Sequence, residues 1–406
     1  MKRSFFWLCL GALTLTWAIL PSSGGVGGGS TDSPIIKIVS SLPRTGSANA
    51  QSSSIVNGIQ MAIEEAGGKI GNYSIAYEDW DDASPERGQW DPALEAANAQ
   101  KAVRDKDIMA YIGTYNSGAA KISMPILNQV SLLMVSPANT YPGLTKPGLG
   151  EANEPQVYRP SGKINFFRVV PADDIQGDVA AHFANEIGIK KVFILHDREL
   201  YGKGVADVFK RVCGKLGIEV VGYEGIDPKA ANYRSLVTKI KGMSADMVYF
   251  GGTTQTGAGQ IAKDLVAGGA KVKFMSPDGT REQALIDAAG KDALEGRAYV
   301  TFGGLPPSEL KGKGREFVEN YKKKYHAEPE AYAVYGYETG RVVLEAIKRA
   351  GVKDREAITA AERNLKDFDG VLGKWSFDQN GDTSLKVMAV ETVKDGKFTP
   401  VKIVGQ

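Results

Sequence analysis

Ser117 stands where a strand-like run, Ile108 to Ile112, passes through Gly113-Thr114-Tyr115-Asn116 into a helical pattern that reaches Asn128. A serine at such a junction can cap the helix. The free backbone N–H groups of the first turn, together with the helix dipole, then make a site for an anion. The next strand-like run ends in Ser136-Pro137-Ala138-Asn139-Thr140 and would lie beside it. Ligands of open α/β sheets sit at such carboxyl ends of strands. On the junction alone, a plain helix cap explains Ser117 equally well.

Other chemistry-bearing patterns carry less. The sequence has no G-x-S-x-G elbow, no H-E-x-x-H and no C-x-x-C, and its three histidines, His182, His196 and His326, are scattered. Nucleophilic catalysis and a histidine-rich metal site are therefore not expected. Ser308-Glu309-Leu310-Lys311 spells S-x-x-K but opens a lysine-rich helix, where capping by Ser308 is the simpler role. Asp378-Gln379-Asn380-Gly381-Asp382 lacks the glycine placement and terminal glutamate of a calcium loop and reads as a β-turn. Gly251-Gly252 and Gly257-Ala258-Gly259 do not space as a dinucleotide-binding loop. No cofactor and no metal are expected.

The elements that must position these residues alternate strand and helix almost to the end. Strand signals fall at 35–39, 73–77, 108–112, 132–135, 191–195, 219–223, 247–250, 273–275 and 297–301. Helical spacing falls between them, at 93–103, 117–128, 175–187, 204–216, 233–241 and 257–267, and again at 309–325 and 331–350. Repeated βα units imply parallel sheets covered on both faces, and the strand number asks for two lobes. Asn139 to Asn165, with four prolines, reads as a long loop between two regular halves. Lys374 to Phe377 and Leu385 to Val393 read as a hairpin with an Asn-Gly turn, followed by a turn at Asp395-Gly396 and a last strand.

The chain has 406 residues, 43% apolar and 24% charged, with 49 Lys+Arg against 47 Asp+Glu. Disordered and polytopic membrane classes do not fit this composition. The body carries no excess of basic residues, so a nucleic-acid partner is not expected. Lys2 and Arg3 precede an apolar run, Phe5 to Leu20, and the small residues Ser22 and Gly24. This reads as a secretory signal over 1–24, with a Gly/Ser-rich tether over 25–34. Export follows, to the periplasm or another extracytoplasmic space, with cleavage expected and a retained membrane tether as the alternative. Cleavage would remove Cys9 and leave Cys213 without an intrachain partner. With a neutral body and no heptad seam, a monomer is expected.

Nine short motifs occur in an order that resembles the leucine/isoleucine/valine-binding protein family, the type I periplasmic solute-binding proteins of ABC transporters. They are Gly58-Ile59-Gln60-Met61-Ala62, Tyr77 to Asp82, Ile112-Gly113 with Ser117-Gly118, Ser136 to Thr140, Phe167-Arg168-Val169 with Gln176-Gly177, His196-Asp197 with Tyr201 to Gly204, Tyr249 to Gly252, Met275 to Gly279, and Tyr335 to Glu338. The resemblance covers Ile36 to about Asp382.

It implies an α/β fold of two doubly wound parallel-sheet lobes joined by a three-crossing hinge, with crossings near Arg168, Phe302 and Val371. Lobe 1 would hold 35–167 and 303–370, and lobe 2 would hold 168–302 and 371–406. The implied function is capture of a small amino acid, branched-chain, hydrophobic or related, in the interlobe cleft and delivery to the membrane permease of an ABC transporter, without catalysis. A ligand-sensing receptor for amides or other metabolites is the alternative.

By the same resemblance, Ser117 and Thr140 take the ligand carboxylate, and the Ala138 carbonyl takes the ammonium. Tyr201 faces them from lobe 2, and Asp278 pairs with the ammonium where the branched-chain binders have Glu. Tyr332 matches an aromatic side-chain contact. Asp278 also suits a turn and Tyr332 a helix interface, so structural roles stay open for both. Departures from the family pattern fall at Gln51, Tyr115, Asn116 and Thr253-Thr254-Gln255, where side-chain specificity is set. Insertions at Ser84–Asp91 and Pro142–Lys163 would decorate the cleft mouth or the lobe surface. Trp80 reads as structural, and Asp79, Asp81 and Asp82 as a solvated loop.

Overall fold

The computed structural model describes residues 34–405. The expected signal, Cys9 and nearly all of the tether lie outside the described residues.

The first round of alternation runs β1 (Ile35–Leu42), α1 (Asn49–Glu65), β2 (Lys69–Ile70), β3 (Tyr73–Asp81), the hairpin β4 (Ala83–Ser84) and β5 (Gln89–Trp90), α2 (Pro92–Arg104), β6 (Ile108–Gly113), α3 (Ser117–Asn128), β7 (Leu133–Ser136) and β8 (Phe166–Arg168). The second runs α4 (Asp173–Glu186), β9 (Lys191–His196), α5 (Leu200–Leu216), β10 (Glu219–Gly225), α6 (Arg234–Gly242), β11 (Met247–Gly251), α7 (Ala258–Ala267), β12 (Lys273–Ser276), α8 (Gln283–Ala289), α9 (Lys291–Leu294) and β13 (Ala298–Gly303). The chain closes with α10 (Lys313–Tyr325), α11 (Ala333–Ala350), α12 (Arg355–Arg363), β14 (Phe368–Gly370), β15 (Gly373–Trp375), β16 (Met388–Lys394) and β17 (Lys397–Val404).

Two sheets result. The first has the order β2-β3-β1-β6-β7-β8 and the second β10-β9-β11-β12-β13-β16-β17. Pairing is parallel in both apart from the edges, where β2–β3, β13–β16 and β16–β17 are antiparallel. All six residues of β6 are buried, as a central parallel strand covered by helices on both faces requires. In each sheet the order reverses once: β1 is flanked by β3 and β6, and β9 by β10 and β11. The crevice beyond the carboxyl ends at such a reversal is the natural ligand site of an open α/β sheet.

Two of the sequence motifs meet in the first lobe. A Cβ on Gly58 of α1 would lie 2.3 Å from the Ala333 carbonyl oxygen, and one on Gly336 of α11 would lie 2.2 Å from the Ile55 carbonyl oxygen. The two helices touch backbone to backbone, and only glycine permits it.

The chain passes between the lobes three times, after β8, after β13 and before β16. Helices α10 to α12 return to the first lobe, where Phe317, Tyr321, Tyr332 and Ile358 join the core with Ile36, Ile38 and Ile112. The third passage falls later than Val371, because Val371, Trp375 and Phe377 all pack into that first core. Near Arg168 the passages are tied together: the buried guanidinium bonds Asp382 Oδ1 at 2.7 Å and the Tyr141 carbonyl at 2.8 Å.

The expected 374–393 hairpin is corrected. β15 pairs with β14, and β16 pairs with β13 and β17, leaving a single bridge, Phe377 to Thr383, around the Asn-Gly turn. The two-residue hairpin turn is Asp395-Gly396, between β16 and β17. Ser308 caps no helix, since α10 begins at Lys313 behind Gly312. Asp79 and Asp81 do bond Arg44 and Thr45, but Asp82 is fully buried beneath them rather than solvated. Trp80 is buried and structural. Cys213 is buried, and burial pushes its thiol up to about 12. Among the described residues, no helix is long and apolar enough to cross a membrane.

Candidate ligand-binding cleft

Five strand ends supply the site. β6 leads to Tyr115, Asn116 and Ser117, and β7 to Ala138 and Thr140. From the other sheet, β9 leads to Tyr201 in the first turn of α5, β11 to Thr253, and β12 to Asp278 and Gly279. Tyr332 precedes α11 on the first lobe. Tyr115, Asn116, Ala138, Tyr201, Thr253, Asp278, Gly279 and Tyr332 line one cavity of about 20 Å³. That is room for about one water molecule, so the lobes stand closed on one another.

Asp278 is the centre of this closure and is 2% exposed. Its Oδ1 accepts from the Tyr201 hydroxyl at 2.6 Å and from Gln176 Nε2 at 2.6 Å. Its Oδ2 accepts from the Tyr332 hydroxyl, which comes from the opposite lobe. The Tyr201 oxygen in turn accepts the Gly279 N–H at 2.9 Å. Gln176 Nε2 also donates to Asp173 Oδ1 at 2.8 Å, while its Oε1 accepts from Asp278 N and Thr301 Oγ1, each at 3.0 Å.

Burial raises the Asp278 carboxyl, and the Tyr201 and Tyr332 hydroxyls partly counter it. Asp173 is pushed well above the usual range, first by burial and then by the Asp278 charge. Two buried carboxyls so placed do not both ionise readily, and the Arg168 charge counters the effect on Asp173 only in part.

Asp278 is not the only buried acid near the cleft. Besides Asp173, Glu282 is buried and its carboxyl is pushed up to about 7, mainly by burial. Glu282, Asp278 and Glu330 all act on the Tyr115 hydroxyl. Sequence reasoning missed Asp173, Gln176 and Glu282 as site groups. Gln176 stood in a recognised motif, but nothing in the residue pattern links it to Asp278, 102 positions away.

Of the expected contacts, six line the cavity: Tyr115, Asn116, Ala138, Tyr201, Asp278 and Tyr332. Ser117 lies in an adjoining crevice with Asn116, Tyr201 and Thr253. Its side chain is not the helix cap, since Asn116 holds that position, and its Oγ accepts the Tyr141 N–H at 3.3 Å. The Thr140 hydroxyl is buried without a partner. Gln51 sits behind the cavity, where its Oε1 accepts from Tyr332 N at 3.3 Å and its Nε2 donates across the cleft to the Arg281 carbonyl at 3.4 Å.

Residues 35–397 match the family model described as periplasmic binding protein. The chain is similar to the Leu/Ile/Val-binding protein homolog 2 of Brucella abortus, 31% identical over 407 residues, covering 98% of this chain and 99% of that one. It is also similar to homolog 1 of the same organism, 30% identical over 367 residues, covering 89% and 92%. Among solved structures, the leucine binding protein LivK of Thermotoga maritima superposes with a TM-score of 0.80 at 27% identity, covering 91% of this chain and 99% of that one. LivJ of Streptococcus pneumoniae, a branched-chain amino acid transporter substrate binding protein in complex with isoleucine, gives 0.79 at 25% identity and the same coverage. With two parallel-sheet lobes, three passages between them and a cleft at both strand-order reversals, the chain belongs to the periplasmic binding protein family, as a substrate-binding protein of the Leu/Ile/Val-binding type.

Proposed function

We propose that the protein captures a small α-amino acid in the interlobe cleft outside the cytoplasm and, working as a monomer, hands it to the permease of an ABC transporter. The observation that carries this reading is the buried Asp278 carboxylate, reached by tyrosine hydroxyls from both lobes. A ligand ammonium entering there displaces the Tyr332 hydroxyl from Oδ2 and supplies the missing positive charge. The Ala138 carbonyl, on the cavity wall, is a second acceptor for it. The N-terminus of α3 at Ser117 and the unpartnered Thr140 hydroxyl are donors for the ligand carboxylate.

Because the ligand touches both lobes, it binds the closed form better than the open one, and only such a difference shifts the equilibrium. The residual cavity is too small for any amino acid, so loading requires the lobes to part first. The test is to purify the exported protein without denaturation and identify what it retains by mass spectrometry. An α-amino acid is the expected finding. An amide, or a carboxylic acid lacking an ammonium, would favour the sensor or another solute and overturn the assignment.

A further inference from the structure

We propose that Gln176 and Asp173 are positioning residues for ligand capture: the Gln176 amide, itself oriented by Asp173, turns one oxygen of the Asp278 carboxylate into the cleft before the lobes close. The inference rests on the amino-acid reading and deepens it. Gln176 is 1% exposed and Asp173 is fully buried. They stand three residues apart on α4, so they share one face of the helix. α4 lies close against its neighbour there: a Cβ on Gly177 would lie 2.6 Å from Val208 Cγ1 of α5, the helix that carries Tyr201. The Asp173 N–H is fixed on the Thr140 carbonyl at 2.9 Å.

Gln176 grips Asp278 at two points. Its Nε2 donates to Asp278 Oδ1 at 2.6 Å, and its Oε1 accepts the Asp278 N–H at 3.0 Å. Two further bonds fix which way the amide faces: Asp173 Oδ1 accepts from the nitrogen end at 2.8 Å, and Thr301 Oγ1 donates to the oxygen end at 3.0 Å. With the Tyr201 hydroxyl also on Oδ1, that oxygen is engaged twice from the second lobe alone. Oδ2 is left facing the first lobe, where the Tyr332 hydroxyl reaches it. Parting the lobes withdraws Tyr332 but leaves Gln176, Tyr201 and Thr301 in place, so Oδ2 stays directed at an arriving ammonium. A neutral amide orients the carboxylate without cancelling its charge, which remains for the ligand. Site groups held beforehand in their bound geometry bind more tightly, because less freedom is lost on binding.

The test is calorimetric titration of the full exported protein with each protein amino acid in turn, then of Gln176→Met with the tightest binder. Gln176→Met nearly keeps the volume but removes the amide, and should bind at least about tenfold more weakly. The loss should depend on the ammonium: for the matching acid with hydrogen in its place, Gln176→Met should lose less than about threefold. Binding of the amino acid by Gln176→Met within about threefold of the unaltered protein overturns the proposal. So does an equal loss for both compounds, which is what a merely structural role would give. Should Gln176→Met not fold, Asp173→Asn and Asp173→Ala decide. Asp173→Asn keeps an oxygen for the Gln176 amide and should bind within about threefold of the unaltered protein, while Asp173→Ala should bind at least about fivefold more weakly. Equal affinity of these two variants overturns the proposal. In all these results the amino-acid reading stands, because the unaltered protein binds; binding of no amino acid by the unaltered protein overturns both.

Discussion

The Tyr332 hydroxyl, carried by the first lobe, donates to the same Asp278 carboxylate that the Tyr201 hydroxyl reaches from the second lobe at 2.6 Å. One acid thus latches the two halves of the cleft, at the place proposed above for the ligand ammonium.

Replacing Asp278 should remove most of the affinity for an amino acid. Truncating one partner of a desolvated charge pair costs roughly 2–5 kcal/mol, or about 30-fold to several-thousand-fold. Asp278→Ala should nearly abolish binding, and Asp278→Asn should bind poorly, since a neutral amide does not offset an ammonium. Ser117→Ala leaves the backbone donors of α3 in place and should cost only about 1–2 kcal/mol. Calorimetry on the three variants checks this order.

Breaking the Arg168–Asp382 pair should destabilise the fold. Arg168, on β8, is fully buried, and its partners lie in the loop after β7 and in the third passage between lobes. Removal of one member of a buried pair costs about 3–5 kcal/mol, because the other charge is stranded. Asp382→Ala should therefore show a clearly lowered urea midpoint; a midpoint matching the unaltered protein would contradict this role.

Gly336→Ala should also destabilise, for a steric reason. The added methyl would lie 2.2 Å from the Ile55 carbonyl oxygen, in backbone that has no rotamer to yield. Overpacking of this kind costs about 1–3 kcal/mol, which a thermal melt would register.

Without ligand, the protein should be more stable near pH 5.5 than near pH 8 (both approximate). The buried carboxyls of Glu95, Asp197 and Glu282 are each pushed up to about 7, with burial the largest cause. Between the ordinary carboxyl range and about 7, the folded state holds protons that the unfolded chain has lost. Stability then falls as the pH rises through that window. His196, whose pKa burial lowers, opposes this below its usual titration range, but it is one group against several. A urea midpoint that rises from about pH 5.5 to about pH 8 would contradict the assignment.

Much of the fold was legible because strand and helix periods are local. α3 has the bounds its pattern predicts, Ser117–Asn128, and β1, β6 and β9 start where their β-branched runs begin. The Asn-Gly turn misled because turn chemistry fixes a bend, not a partner: β16 finds a longer neighbour in β13. Tyr115, Tyr201 and Asp278 stand at strand ends that motifs mark, and the fold brings the three to one cavity. The candidate site was not legible where burial decides chemistry. Asp173, Asp82 and Glu282 look like ordinary surface acids in the sequence, and only packing from distant elements removes them from water.

The most direct test of the central claim compares the amino acid recovered from the protein with the matching acid that has hydrogen in place of the α-ammonium. If Asp278 holds that ammonium in a dry cleft, calorimetry should show the second compound binding at least about 30-fold more weakly. Binding within about threefold, a difference under about 1 kcal/mol, would contradict the account.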